Sequence, residues 1–224
     1  MRRARYHSLS ALAAFALLGP GCGFDIVSQE TLGGVVVATV HSPTADFARY
    51  KTFAIVDKVG LVTDDVGVTV KYVDAPAVLA QITADLEGRG FVKVAEIDPV
   101  NPPVTPPLAD LAVNATALEA TRTESAYWIS FDGYWGPGFW GYPGYAWHYP
   151  WEWPTISYQV GTLLIEIADL RNPLPVGGPM GGRLESLWAS ASYGVAAGEA
   201  GYDAQRVLDS IDRAFSQSPY IQTK

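Results

Sequence analysis

The sequence predicts an α+β fold: a single domain with a mostly antiparallel sheet, two helices packed on one face, and a Gly/Pro/aromatic-rich loop. Three observations carry that expectation. β-branched and alternating runs recur along the 224 residues and mostly follow one another without helices between them, as the strands of an antiparallel sheet do. Two stretches combine an apolar period near 3.6 with capping signals, which suffices to cover one face of a sheet. Hydrophobic residues make up 49% and charged residues 17%, the composition of a chain with a packed core.

Taken in order, "GVVVATVH" (34–41) is a β-branched run and reads as a strand. "SPTADFARY" is a turn, and "KTFAIV" (51–56) is the next strand. "DKVGLVTDDVG" (57–67) reads as a loop, and the alternation in "VTVKYV" (68–73) as a short edge strand. "DAPAVLAQITADLEGRGF" (74–91) is the clearest helix. Asp74 is placed to cap it, and Pro76 is tolerated in its first turn. Leu79, Ile82 and Leu86 share one face, and Gly88 and Gly90 end it. "FVKV" (91–94) returns the chain to the sheet, and "DPVNPPVTPP" (98–107), with five prolines in ten residues, is a stiff connector. The Ala- and Leu-rich "LADLAVNATALEAT" (108–121) is expected to be helical. "SAYWISFDGYW" (125–135), "TISYQVGTLLIEIADL" (155–170) and "RLESLWASASYGV" (183–195) read as strands, the last two joined by a Gly/Pro turn. "YDAQRVLDSIDRAF" (202–215) is the closing helix, capped by Asp203, with Val207, Leu208, Ile211 and Phe215 on its apolar face.

The N-terminus has its own logic. Arg2, Arg3 and Arg5 precede an apolar run from Leu9 to Gly19, a charged region and a hydrophobic region of signal-peptide length. Such a run is too short to span a bilayer as a mature helix. Cys22 is the one cysteine of the chain and closes this segment in "LLGPGC", which resembles a bacterial lipobox, although Gly19 and Pro20 depart from the usual residues. The expectation is a lipoprotein signal peptide over 1–21, an acylated Cys22, a tether over 22–33 and a folded domain over 34–224. Removing the leader strips three arginines and takes the net charge from −8 to −11. So acidic a chain repels phosphate backbones, and no nucleic-acid partner is expected. With Cys22 acylated, no cysteine pair is left for a disulfide, and a core of this size does not need one.

Several residue patterns together resemble a known family. "DFARYKTFAIVD" (46–57) resembles its N-terminal signature, Asp-Phe-x-x-Tyr-Lys-Thr-Phe running into a strand. "GTLLIEIADL" (161–170) followed by "LWASA" (187–191) resembles its C-terminal strand pair, and "IDRAFSQSPY" (211–220) its closing helix. The family is the domain of unknown function 4136 group of bacterial envelope lipoproteins, and the resemblance covers most of residues 35–220. Members often carry Leu-Val-Trp-Arg-Gly where this chain has "SLWAS", which keeps Trp188 and places Ala189 at the Arg position. The resemblance implies fold and location, a lipid-anchored protein on the periplasmic face of the outer membrane. It implies no activity.

Chemistry has little to stand on. Beyond His7 in the leader, His41 and His148 are far apart and fall in no metal-binding pattern, and Asp57, Asp64 and Asp65 lack calcium-loop spacing. There is no nucleophile elbow and no phosphate-binding loop. No cofactor, no metal and no catalysis are expected. The best enzymatic alternative is glycoside cleavage by two of Asp132, Glu152 and Glu166, which lie near the aromatic segment. Against it, Asp132 and Glu166 fall on strands where a polar residue normally faces water.

The exceptional stretch is "YWGPGFWGYPGYAWHYPWEWP" (134–154). Ten of its 21 residues are Trp, Tyr or Phe, and eight are Gly or Pro. Gly and Pro argue against a helix or an inner strand, so the rings are expected on an irregular loop. Three uses are open to them: capping one face of the sheet, binding a glycan or an envelope protein, or meeting the membrane interface. Trp140, Tyr142, Tyr145 and Trp147 form the candidate binding surface, with Trp135 and Trp153 expected to be structural. Two roles follow for the protein, a structural or binding one in the envelope and an accessory one in an envelope assembly or transport complex.

Overall fold

The computed structural model describes residues 28–32, 35–63, 75–97, 109–119, 145–148, 161–174, 182–195 and 203–223, and for 28–32, 61–63, 118–119, 145–148 and 182 the backbone alone. Its elements run β1 (Ser28–Leu32), β2 (Val35–His41), β3 (Thr52–Val56), β4 (Gly60–Thr63), α1 (Ala75–Gly88), β5 (Val92–Ile97), β6 (Leu111–Glu119), β7 (Tyr145–His148), β8 (Thr162–Asp169), β9 (Gly182–Tyr193) and α2 (Ala204–Ser216). A 3-10 turn at Phe47–Arg49 leads into β3. The strands lie in the order β1-β2-β9-β8-β6-β3-β5, with β4 beside β6 and β7 beside β9.

The architecture is α+β, as expected, and the pairings are mixed. Antiparallel pairs, β1·β2, β2·β9, β9·β8 and β8·β6, make the centre. Parallel pairs, β6·β3, β3·β5, β6·β4 and β9·β7, make the flanks. A parallel pair needs a crossover, and α1 supplies the one between β3 and β5.

Register assigns every central residue to a face, because side chains directly opposite in a ladder point the same way. Phe53, Ile55, Leu111, Val113, Ile165, Ile167 and Trp188 fall on one face, and they form a single core with Val78, Ile82 and Leu86 of α1 and Val207, Ile211 and Phe215 of α2. Both helices therefore cover the same face. In α2, Asp203 caps the N-terminus by accepting from the amides of Gln205 and Arg206, 3.0 and 3.3 Å away. Trp188 stacks on Phe215 at 5.2 Å and donates from Nε1 to Ser218 Oγ at 2.8 Å. Ser190 and Ser192 sit on this face too, small enough to let α2 lie close to β9. After α1 the chain turns at Gly90 with φ 91°, and a Cβ there would run into the Thr223 hydroxyl.

The structure corrects the helix expected over 108–121. That stretch carries β6, paired with β8 from Leu111↔Asp169 to Leu118↔Thr162. Ala and Leu favour a helix locally. The alternation of Leu111, Val113 and Ala115 against Ala112, Asn114 and Thr116 fits a strand between β3 and β8, and tertiary pairing prevails over propensity. The loop expected at 57–67 holds β4, and the tether expected at 22–33 holds β1, paired with β2. The strands expected at 68–73 and 125–135 and the Asp74 cap lie outside the described residues.

The outer strand β5 shows how an edge is kept from pairing further. Its register with β3 slips between Phe53 and Ala54, so Val94 bulges, and Lys93 and Glu96 form an ion pair of 2.8 Å on one face. Val92 and Val94 are 57% and 47% exposed. A bulge and charges blunt an edge that bare valines would leave adhesive.

If α1 and α2 hold the sheet as described, Leu86→Ala and Ile211→Ala should each lower unfolding free energy by about 2–5 kcal/mol. Urea denaturation measures this, and a loss under about 0.5 kcal/mol would mark an exposed site and contradict the packing.

Candidate functional site

Two groups of hydrogen-bonded polar side chains stand out in the described sheet, and the aromatic segment touches a third place. The first lies at one end of the sheet, where β3 and β6 begin and β8 ends. Tyr50 Oη donates to Asp169 Oδ2 at 2.9 Å. The same carboxylate accepts from the backbone amides of Arg171 and Asn172 at 2.8 and 3.1 Å and from Asn172 Nδ2 at 2.9 Å. Next to it, Asp110 Oδ2 accepts from the amides of Lys51 and Thr52 at 2.6 and 3.1 Å, and the Asp110 amide donates to Thr52 Oγ1 at 3.0 Å. Arg171 closes the group, reaching Asp110 Oδ1 at 3.5 Å and the carbonyl of Arg49 at 3.1 Å. Burial, then the nearby Asp169 charge and the bond to it, push the Tyr50 hydroxyl well above the usual tyrosine range. Tyr50 is thus a fixed donor, and Asp169 accepts four hydrogen bonds.

The second group lies on the face of the sheet opposite the helices. Asn114 of β6 is opposite Glu166 of β8, and its Nδ2 donates to Glu166 Oε2 at 3.1 Å and to Thr116 Oγ1 at 3.2 Å. Glu166 is 0% exposed and Asn114 2%. Around them Ala112, Leu164, Ala168, Ala189 and Ala191 are equally buried. This corrects the expectation that Glu166 faces water. β8 is an inner strand with all eight residues buried, so its second face is as dry as its first. A carboxyl group in such a place must be hydrogen-bonded. The helical propensity of the Ala- and Leu-rich stretch around it hides Asn114 in the sequence. The period-two alternation around it was the available signal.

The third place is β7. Arg183 exchanges both backbone bonds with Leu174, at 2.8 and 2.7 Å, on the β8 side of β9. β7 pairs with Gly182–Glu185 from the other side, so it follows on from β2, whose own pairing with β9 ends at His41↔Trp188. The loop expected across 135–155 therefore contains a short parallel strand. Tyr145 and Trp147 lie on it, opposite Gly182 and Leu184. Trp140, Tyr142, Trp135, Trp153, Asp132, Glu152 and Cys22 lie outside the described residues. Close to where β2 ends, the His41 ring packs on Tyr220 at 4.3 Å and Nδ1 donates to the carbonyl of Ser42 at 2.9 Å.

Among the described residues no three His, Cys, Asp or Glu side chains cluster as a metal site would require. Of Asp132, Glu152 and Glu166, only Glu166 lies within the described residues, and there it is fully buried with Asn114 donating to it.

A family model described as "Domain of unknown function (DUF4136)" matches residues 37–220. A crystal structure of a DUF4136 family protein from Bacteroides thetaiotaomicron shares the fold at a TM-score of 0.61 and 24% identity, over 85% of this chain and 98% of that one. A PelC dodecamer from Paraburkholderia phytofirmans aligns over 85% of this chain and 99% of its own at 13% identity, with a TM-score of 0.38. A comparison with curated proteins finds no match.

Tyr50→Phe and Asn114→Ala each remove one donor from a buried carboxylate. Each should cost about 1–3 kcal/mol of stability. Chemical denaturation checks this, and unchanged midpoints would mean that these bonds do not hold the fold.

Proposed function

The chain belongs to the DUF4136 family, and from that membership we propose that it is a non-catalytic lipoprotein of the bacterial cell envelope with a structural or binding role. It would be held to the outer membrane by acylated Cys22 and face the periplasm. The observation that carries the non-catalytic reading is the occupation of the polar side chains. Tyr50, Asp110 and Asp169 are spent on one another and on backbone, Trp188 on Ser218, and Glu166 is sealed with Asn114. These residues build a scaffold and leave recognition to other parts of the chain.

The part best suited to recognition is the aromatic segment. Trp and Tyr supply large contact area at small entropic cost. β7 ties part of the segment to the edge of β9, where no neighbour from β2 remains. An envelope protein or a glycan is the partner that such rings fit. The lipobox-like end of the leader supports membrane attachment at Cys22.

Two experiments test this reading. Cys22→Ala should move the protein from the membrane to the soluble fraction of cells and abolish lipid labelling. Normal processing and retention in the membrane pellet would refute the anchor. Trp140→Ala with Trp147→Ala should fold normally and lose a partner captured by crosslinking in intact cells. If the double variant instead unfolds, the rings belong to the core and the binding role fails.

A further inference from the structure

The directions of the strands decide which end of the sheet lies closest to Cys22. β1 starts at Ser28, opposite Thr39 in the last part of β2. β2 is antiparallel to β1 and to β9, β9 to β8, and β8 to β6, while β3 runs parallel to β6. The end at which β1 starts is therefore also the end at which β3, β6 and β9 start and β8 stops. Five residues separate Cys22 from Ser28, and even fully extended they reach about 20 Å. Four cations stand at this same end. Arg49 closes the 3-10 turn, Lys51 precedes β3, Arg171 follows β8, and Arg183 lies at the start of β9. Arg49, Lys51 and Arg171 are exposed, and Arg183 is half-buried. Among the described residues no hydrogen bond or salt bridge holds the guanidinium of Arg49 or Arg183. Two acids of this end are turned inward. Asp169 accepts from Tyr50 and from the turn after β8, and Asp110 from the amides of Lys51 and Thr52. The Asp110 side chain is 21% exposed and the Arg171 side chain that reaches it 49%, so the cation is the outer partner. Asp46 is exposed here and Glu185 half-buried.

Resting on the acyl anchor proposed at Cys22, we propose that this end of the sheet is a membrane-docking surface, at which Arg49, Lys51, Arg171 and Arg183 meet the phosphates of anionic phospholipid in the leaflet that holds the anchor. The tether is too short to let the domain stand far from the bilayer, and it enters at the end where these four cations lie. Without its leader the chain carries a net charge of −11, so an anionic leaflet repels the domain as a whole. Repulsion of the whole and attraction of one end together select one orientation. Guanidinium groups suit the contact, because their planar fork matches the oxygens of a phosphate.

Two native lysines read the orientation. Lys51 lies at the docking end, and Lys58, just past the end of β3, lies at the other. The anchored protein is placed on vesicles of phosphatidylcholine with and without phosphatidylglycerol, and mass spectrometry follows the rate at which an amine reagent modifies each lysine. Lys51 should react about fivefold more slowly on the anionic vesicles than on the neutral ones, and Lys58 equally on both. Arg49→Gln with Arg183→Gln should bring the two Lys51 rates together, and so should about 1 M salt. Equal slowing of Lys51 and Lys58, or slowing of Lys51 that ignores both lipid charge and the double variant, would overturn the docking surface. A second preparation separates this result from the anchor: unacylated chain joined through the Cys22 thiol to a maleimide headgroup. A native chain that carries no acyl group refutes the anchor, while the Lys51 and Lys58 rates of the joined chain still decide the docking.

Discussion

A strand buried on both of its faces constrains everything around it. All eight residues of β8 are buried. Its two ladders, to β6 and β9, satisfy its backbone, and α1 and α2 dry one of its faces by closing a core around Ile165 and Ile167. The other face is just as dry, and on it stands Glu166. A carboxyl group at the centre of a sheet is tolerable only with hydrogen-bond partners in place, and Asn114 is a donor that the neighbouring strand brings opposite it. Asp169, at the far end of the same strand, receives Tyr50 from more than a hundred residues away in the chain. β8 is therefore where the two halves of the sequence are fastened together.

This gives the recognisable signatures of the chain a physical meaning. The segment 46–57 and the segment 161–170 meet in the bond from Tyr50 to Asp169, and "LWASA" meets the closing helix where Trp188 stacks on Phe215 and reaches Ser218. The residues that carry the resemblance are thus residues that assemble this chain's sheet. Shared scaffolding places no demand on what each member recognises.

The helices were legible in the sequence because their signals are local. Asp203 caps α2 where the Asp-before-apolar-run rule puts it, and Ile82 and Leu86 are buried at the predicted spacing. β2 and β3 were legible from their β-branched residues. β6 was not, because Ala and Leu speak for a helix when read alone and the argument for a strand lies in its partners β3, β4 and β8. The burial of Glu166 was hidden for the same reason, since a strand's sequence shows its alternation and not whether both faces are covered. The Tyr50–Asp169 and Asn114–Glu166 bonds join residues 119 and 52 positions apart, beyond any local pattern. β7 was masked by glycines and prolines that normally end strands.

Double burial of the sheet is the central claim, and thiol accessibility on the second face tests it most directly. Ala189 is 0% exposed there and a cysteine adds one sulfur atom. In a Cys22→Ala background, Ala189→Cys should react with a thiol reagent in native buffer only as fast as global unfolding allows, and the rate should rise with denaturant as the unfolded population does. Rapid labelling, near the rate of the unfolded chain and independent of denaturant, would show that the second face is open and that Glu166 stands in an accessible site.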